Sequence, residues 1–282
     1  MRIHSLSRIL SLPIALSILT VLYVSYELEY QNAMIWILVP LVIATAVVIF
    51  QGQIDFWWNE RNPATLDPPI SDWLKKYDPY YSSLHPNQRQ SYDNRLVMYM
   101  QGRAFASVGR EHHDVPNDIQ AIIASNAVKM LMSKKDYLLG DMDRIYLYKH
   151  PFPTPRYQFL HTVETDIEDG VFIFSLEHLV PGMINPEEHY NIAMHGFAEA
   201  FQRVFPKEDF TYLDQITWDQ LEEVGYHSKG KILKTIGFNQ TDITTVAINH
   251  FFTHPRRFNL IIPAAYDRLT RQFGADQLSK LQ

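Results

Sequence analysis

The chain carries one place where side-chain type and spacing suggest chemistry. In "YNIAMHGFAEAFQRVFP" (190–206), His195 and Glu199 stand four residues apart within an apolar stretch of helical period. On a helix that spacing puts both side chains on one face, so an imidazole nitrogen and a carboxylate oxygen can share a metal ion. In the HExxH arrangement of zinc hydrolases, the residue after the first ligand is the glutamate that takes the proton of the metal-bound water. Here that position is Gly196, which can accept no proton. The plain alternative is an ordinary helix pair worth a few tenths of a kcal/mol.

Two other histidine pairs are weighed in the same way. His112–His113 lies in "GREHHDVP" and reads as a solvated turn, and His250/His254 flank "FFT" at a helix end. There a positive charge would suit the helix dipole, so a C-terminal cap is the expectation. With no cysteine in the chain, any metal would be held by histidines and carboxylates.

The elements that position these residues follow a clear division. "ILSLPIALSILTVLYVSY" (9–26) and "AMIWILVPLVIATAVVIF" (33–50) are uncharged apolar runs, each about the length of a bilayer-crossing helix. A buried helix pair and, for the first run, a cleaved signal peptide are the alternatives. No small-x-small cleavage site follows the first run, which therefore reads as an uncleaved anchor. The connection "ELEYQN" (27–32) carries Glu27 and Glu29 but no Lys or Arg, whereas Arg2, Arg8, Arg61, Lys75 and Lys76 flank the runs. By the positive-inside rule both ends are expected on the cytoplasmic side. "FWW" (56–58) reads as an interfacial aromatic belt. The expected organisation is a two-helix transmembrane hairpin over 1–58, a proline-rich linker over 59–72, and a cytoplasmic domain over 73–282, in a two-pass protein of the bacterial cytoplasmic membrane.

Within the soluble part, helices are expected over 85–105, 114–134, 190–205, 242–255 (stopped by Pro255) and 263–274. Short strands are expected over 144–152 and 170–179, and 216–237 is mixed. The class is α+β, mainly helical with a small sheet. The net charge of −6 provides no basic field for nucleic acid.

Seven fragments, in order, resemble the family of zinc-dependent peptidases that includes Mlc titration factor A. They are "PYYSSLHPNQRQSY", "IQAIIASNAVKMLM", "IYLYKHPF", "FSLEHLVPG", "YNIAMHGFAEAF", "VAINHFFTHP" and "PAAYDRLTRQFGAD", spanning about residues 79–276. The hairpin lies outside the resemblance, which implies a zincin-like peptidase domain. Carried over residue by residue, the first zinc ligand falls on His195, the catalytic glutamate on Gly196 and the second ligand histidine on Glu199. The third ligand, a glutamate in the family, falls on Asp242 or, seven residues later, on Asn249. A His195/Glu199/Asp242 set would be a degenerate zinc site without its base. The resemblance thus implies a membrane-anchored pseudopeptidase acting on a protein partner, with zinc possible but not required. The runner-up is a membrane metallopeptidase with altered ligands. A metal-sensing or storage domain is the third reading.

Overall fold

The computed structural model describes residues 6–27, 35–109 and 114–274. Arg2, Glu29, most of the 27–32 connection and the His112–His113 pair lie outside these residues. The chain divides into two compact units, Met1–Thr65 and Leu66–Gln282.

In the first unit, α1 (Leu6–Glu27) is a single apolar helix of 22 residues with Pro13 inside it. At 1.5 Å per residue it is about 33 Å long, enough to cross a bilayer core. The second apolar run differs from the expected single span. α2 (Leu38–Ile49) gives way at Phe50 to α3 (Gln51–Arg61), and the two helical segments are bent by 70°. Only α1 passes as an unbroken membrane-length helix among the described residues; the bent pair is a second span only if counted as one. The break falls where the sequence turns from "AVVIF" to "QGQ". Pro40 does not cause it, because it sits in the first turn of α2, where its missing N–H would have no helical partner. Asp55 on α3 accepts hydrogen bonds from the backbone N–H and the hydroxyl of Ser7, both at 2.8 Å, which ties the start of α1 to α3.

The second unit begins with α4 (Pro68–Tyr77), α5 (Pro79–Ser83) and α6 (Pro86–Gln101). Each has proline at its first or second position. The sequence expectation carried α6 on to 105, but Gly102 closes the helix and Phe105 belongs to strand β1 (Ala104–Val108). Then come α7 (Asn117–Leu131), β2 (Arg144–Tyr148), β3 (Val163–Asp166), β4 (Val171–Ser175) and α8 (Leu176–Ile184). The chain continues through α9 (Ile192–Val204), a 3-10 turn (Thr211–Gln215), α10 (Trp218–Gly225) and α11 (Lys229–Ile236). It closes with α12 (Ile243–Thr253), α13 (Pro255–Ile261) and α14 (Pro263–Phe273). Pro255 both ends α12 and opens α13, since a first-turn proline is compatible with a new helix.

The sheet has the order β1-β2-β4-β3. Its first two pairings are parallel and the β3–β4 pairing is antiparallel, so β3 forms an edge. The class is α+β, mostly helical with a small mixed sheet. Aromatic packing joins the sheet to α9 and α6: Phe197 meets Phe172 at 4.7 Å between centroids and Tyr99 at 6.3 Å, both edge-on.

Candidate functional site

α9 owes its start to Asn191, whose side-chain oxygen accepts from the Met194 N–H at 2.9 Å. Such a cap contributes about 1 kcal/mol. The other end of that amide donates to Asn126 Oδ1 on α7 at 3.0 Å, and Asn249 Nδ2 on α12 donates to the Asn191 carbonyl at 2.7 Å. Three buried amides thus lock α7, α9 and α12 together. They satisfy one another, as buried polar groups must to avoid a desolvation penalty.

This network separates the two candidates for the third position. Asn249 is committed to the Asn191 carbonyl, while Asp242 lines one cavity of ≈590 Å³ together with His195 and Glu199. Asp242 is the N-cap of α12, its Oδ1 accepting from the Thr244 N–H at 3.2 Å. The cavity is bounded on one side by the edge strand β3, through Val163, Glu164 and Thr165.

His195 is 5 % exposed, and its Nδ1 lies 2.9 Å from the Tyr190 hydroxyl. Burial lowers its pKa to about 4, so the ring is neutral near pH 7. Glu199 is half-buried, with a side-chain exposure of 32 %, and binds Arg203 one turn on at 3.0 Å. Desolvation raises its pKa, opposed by the Arg203 charge and by the Thr165 hydroxyl.

Two residues that sequence reasoning missed also shape this cavity. Tyr190 orients the His195 ring, and Glu164 lies 2.9 Å from His161 Nε2. His161 Nδ1 in turn faces the Phe159 carbonyl at 2.9 Å. A carbonyl only accepts, so Nδ1 carries a proton, and one further proton lies between Nε2 and Glu164. Whichever partner holds it, the buried pair has no net charge. The alternation in "HTVETD" marks a strand, but nothing in it announces a buried imidazole–carboxyl contact.

Gly196 has a packing explanation. A Cβ built there would lie 3.1 Å from the Phe174 ring and 3.2 Å from a Val163 methyl, so this side of α9 is pressed onto β3 and β4. A glutamate at this position would have to displace the sheet's inner face.

The residues present do not fit a zinc ion as they stand. Among the described residues no three His, Asp or Glu side chains converge closely enough to hold a metal. Glu199 is engaged by Arg203, and one Asp242 oxygen caps α12.

The His250/His254 pair is not the charged cap expected from the sequence. His250 is fully buried against Gly225, with neither ring nitrogen hydrogen-bonded, and burial together with His254 and His227 pushes its pKa well down. His254 is lowered to about 4 by burial and its cationic neighbours. Both rings are neutral near pH 7, so neither brings positive charge to the helix end.

No protein-family model and no curated protein matches the chain.

Proposed function

We propose that the chain is a membrane-anchored, catalytically inactive relative of the zinc-dependent peptidases, with a zincin-like domain that works by binding a protein partner. The observation that supports this reading best is position 196. The residue that would carry the general base is a glycine packed against Phe174 and Val163, so the cavity has no carboxylate next to His195 in sequence. Without that group, proton transfer to and from a metal-bound water loses about 10²–10⁴-fold.

In the same reading the first unit is a two-pass anchor with α2 and α3 as a bent second span. Both ends lie on the cytoplasmic side, and the peptidase-like unit works in the cytoplasm. The Lys/Arg placement supports this orientation, as does the Ser7–Asp55 contact, which brings the start of the first span to the end of the second. The partner would be a protein at the membrane surface, and the domain would be an accessory part of a membrane complex.

One observation favours the runner-up, a metallopeptidase with altered ligands: His195, Glu199 and Asp242 do share one cavity. Metal analysis separates the two. Protein purified from zinc-supplemented cells should carry far less than one zinc per chain, and His195→Ala should not change that content. Stoichiometric zinc lost on His195→Ala would favour the metallopeptidase.

A further inference from the structure

On the other side of the α9–α12 contact lies a second cavity, of ≈580 Å³, which shares no lining residue with the one around His195. It is walled by α7, the end of α8 and the α12–α13 junction, with Met183, Ile184, Met194 and Phe252 as its apolar surface. Two buried side chains that line it are left with unmatched hydrogen-bonding atoms.

The first is Asp78, 1 % exposed. Its Oδ1 accepts from Lys129 Nζ at 2.8 Å and from the Tyr80 N–H at 3.0 Å, but its Oδ2 has no partner. The second is His254, 7 % exposed, whose Nε2 has no partner. The state of that nitrogen follows from its neighbours. The Thr253 hydroxyl donates to the Asn249 carbonyl at 2.9 Å and lies 2.8 Å from His254 Nδ1. With the single hydroxyl proton given to the carbonyl, Nδ1 must be the donor in the second contact. In the neutral ring Nε2 is then a bare lone pair. Both unmatched atoms are therefore acceptors, and a buried acceptor without a donor is costly. What satisfies them must bring N–H groups.

The charges around the cavity narrow the class further. Lys129, Arg256 and Arg257 line it against Asp78 and Glu187. A ligand that was only cationic would meet three positive side chains, and one that was only anionic would leave both acceptors unmatched. A ligand with an ammonium and a carboxylate on an apolar body suits both. We infer that this cavity is a binding site for an α-amino acid with an apolar side chain, free or as the N-terminal residue of a short peptide. Its ammonium would be held by Asp78 Oδ2 and His254 Nε2, and its carboxylate side would face Lys129 and Arg257. The inference does not depend on the peptidase reading, because it concerns a different cavity.

The test is calorimetric titration of the full-length protein in detergent with leucine, methionine and leucylglycine. Isocaproate (leucine without its amine) and isoamylamine (leucine without its carboxylate) serve as controls. Saturable binding of at least one of the first three is expected, with both controls weaker by roughly tenfold or more, the loss typical of a charge-assisted hydrogen bond. Preference for leucylglycine would assign the site to a peptide N-terminus, and preference for a free amino acid to the metabolite; either supports the inference. His254→Phe removes an acceptor, and Ile184→Trp fills the cavity from its rim, where Ile184 is 41 % exposed; each should weaken binding by a similar factor. If neither amino acid nor the dipeptide binds at millimolar concentration, or if isocaproate binds as well as leucine, the inference is overturned. The ligand series decides even if the His254 variant does not fold.

Discussion

His250 shows how a single residue can set the acid sensitivity of the second unit. Its ring is buried with both nitrogens unpaired, beside Tyr190 at 6.0 Å and His254 at 5.5 Å between centroids. In the unfolded chain a histidine takes up its proton near pH 6.5. In the folded protein His254 does so only near pH 4, and His250 lower still. The unfolded state therefore binds more protons as pH falls below about 6.5, and stability declines from there towards pH 4. For His254 the full loss is on the order of 3 kcal/mol. Glu199 works against this trend, because its raised pKa favours the folded state as pH falls, but its partial exposure makes that effect small. His250→Leu removes a titrating group and two unpaired polar atoms. The variant should be as stable as the parent or more so at pH 7.5, and should lose less stability on going to pH 5, as read by denaturant melts. A parallel pH dependence in the two proteins would contradict the assignment.

Among the elements, α9 has the sequence signs that could be read in advance. Asn191 precedes an apolar run of helical period, and the helix was legible for that reason. The α7, α12 and α14 helices were legible on the same grounds, as were the strands at 144–148 and 171–175. The edge strand β3 was not: it has four residues, two of them acidic, and its Glu164 is buried only because His161 meets it. β1 was hidden by the continuing apolar period of α6, which the structure ends at Gly102. The 70° bend after Ile49 was also hidden, because hydropathy scores length and not direction. Asn191→Ala tests the central element. It removes the α9 cap and strands the Asn126 side chain, for an expected loss of about 2–4 kcal/mol in denaturant unfolding. Glu199→Ala, which removes only a partly exposed i,i+4 pair, should stay within about 0.5 kcal/mol. Equal effects of the two substitutions would show that the amide network does not organise this region.

At the scale of the whole molecule, the account joins an apolar anchor to a peptidase-like unit whose candidate residues gather but do not form a metal site. The sequence alone brought His195, Glu199 and Asp242 to attention, because a helix period and one resemblance sufficed. It could not foresee that Arg203 engages Glu199 or that Gly196 is fixed by Phe174 and Val163, since both depend on how α9 meets its surroundings. The anchor's orientation is open to a direct check: a cytoplasm-dependent reporter fused at the C-terminus should be active, and activity of a periplasm-dependent reporter there would reverse the topology.

The central claim, that this domain has lost peptide hydrolysis, is tested most directly by one assay. Full-length protein, His195→Ala, Gly196→Glu and the Gly196→Glu/Glu199→His double variant are incubated with a peptide library and added zinc, and the products are read by mass spectrometry. The unmodified protein should give no cleavage above the His195→Ala background. Gly196→Glu alone should add none, because its side chain must displace Phe174 or Val163 and has a poor metal site beside it. The double variant may recover cleavage only if the sheet yields at Phe174 and Val163. Robust cleavage by the unmodified protein, abolished both by a chelator and by His195→Ala, would contradict the account.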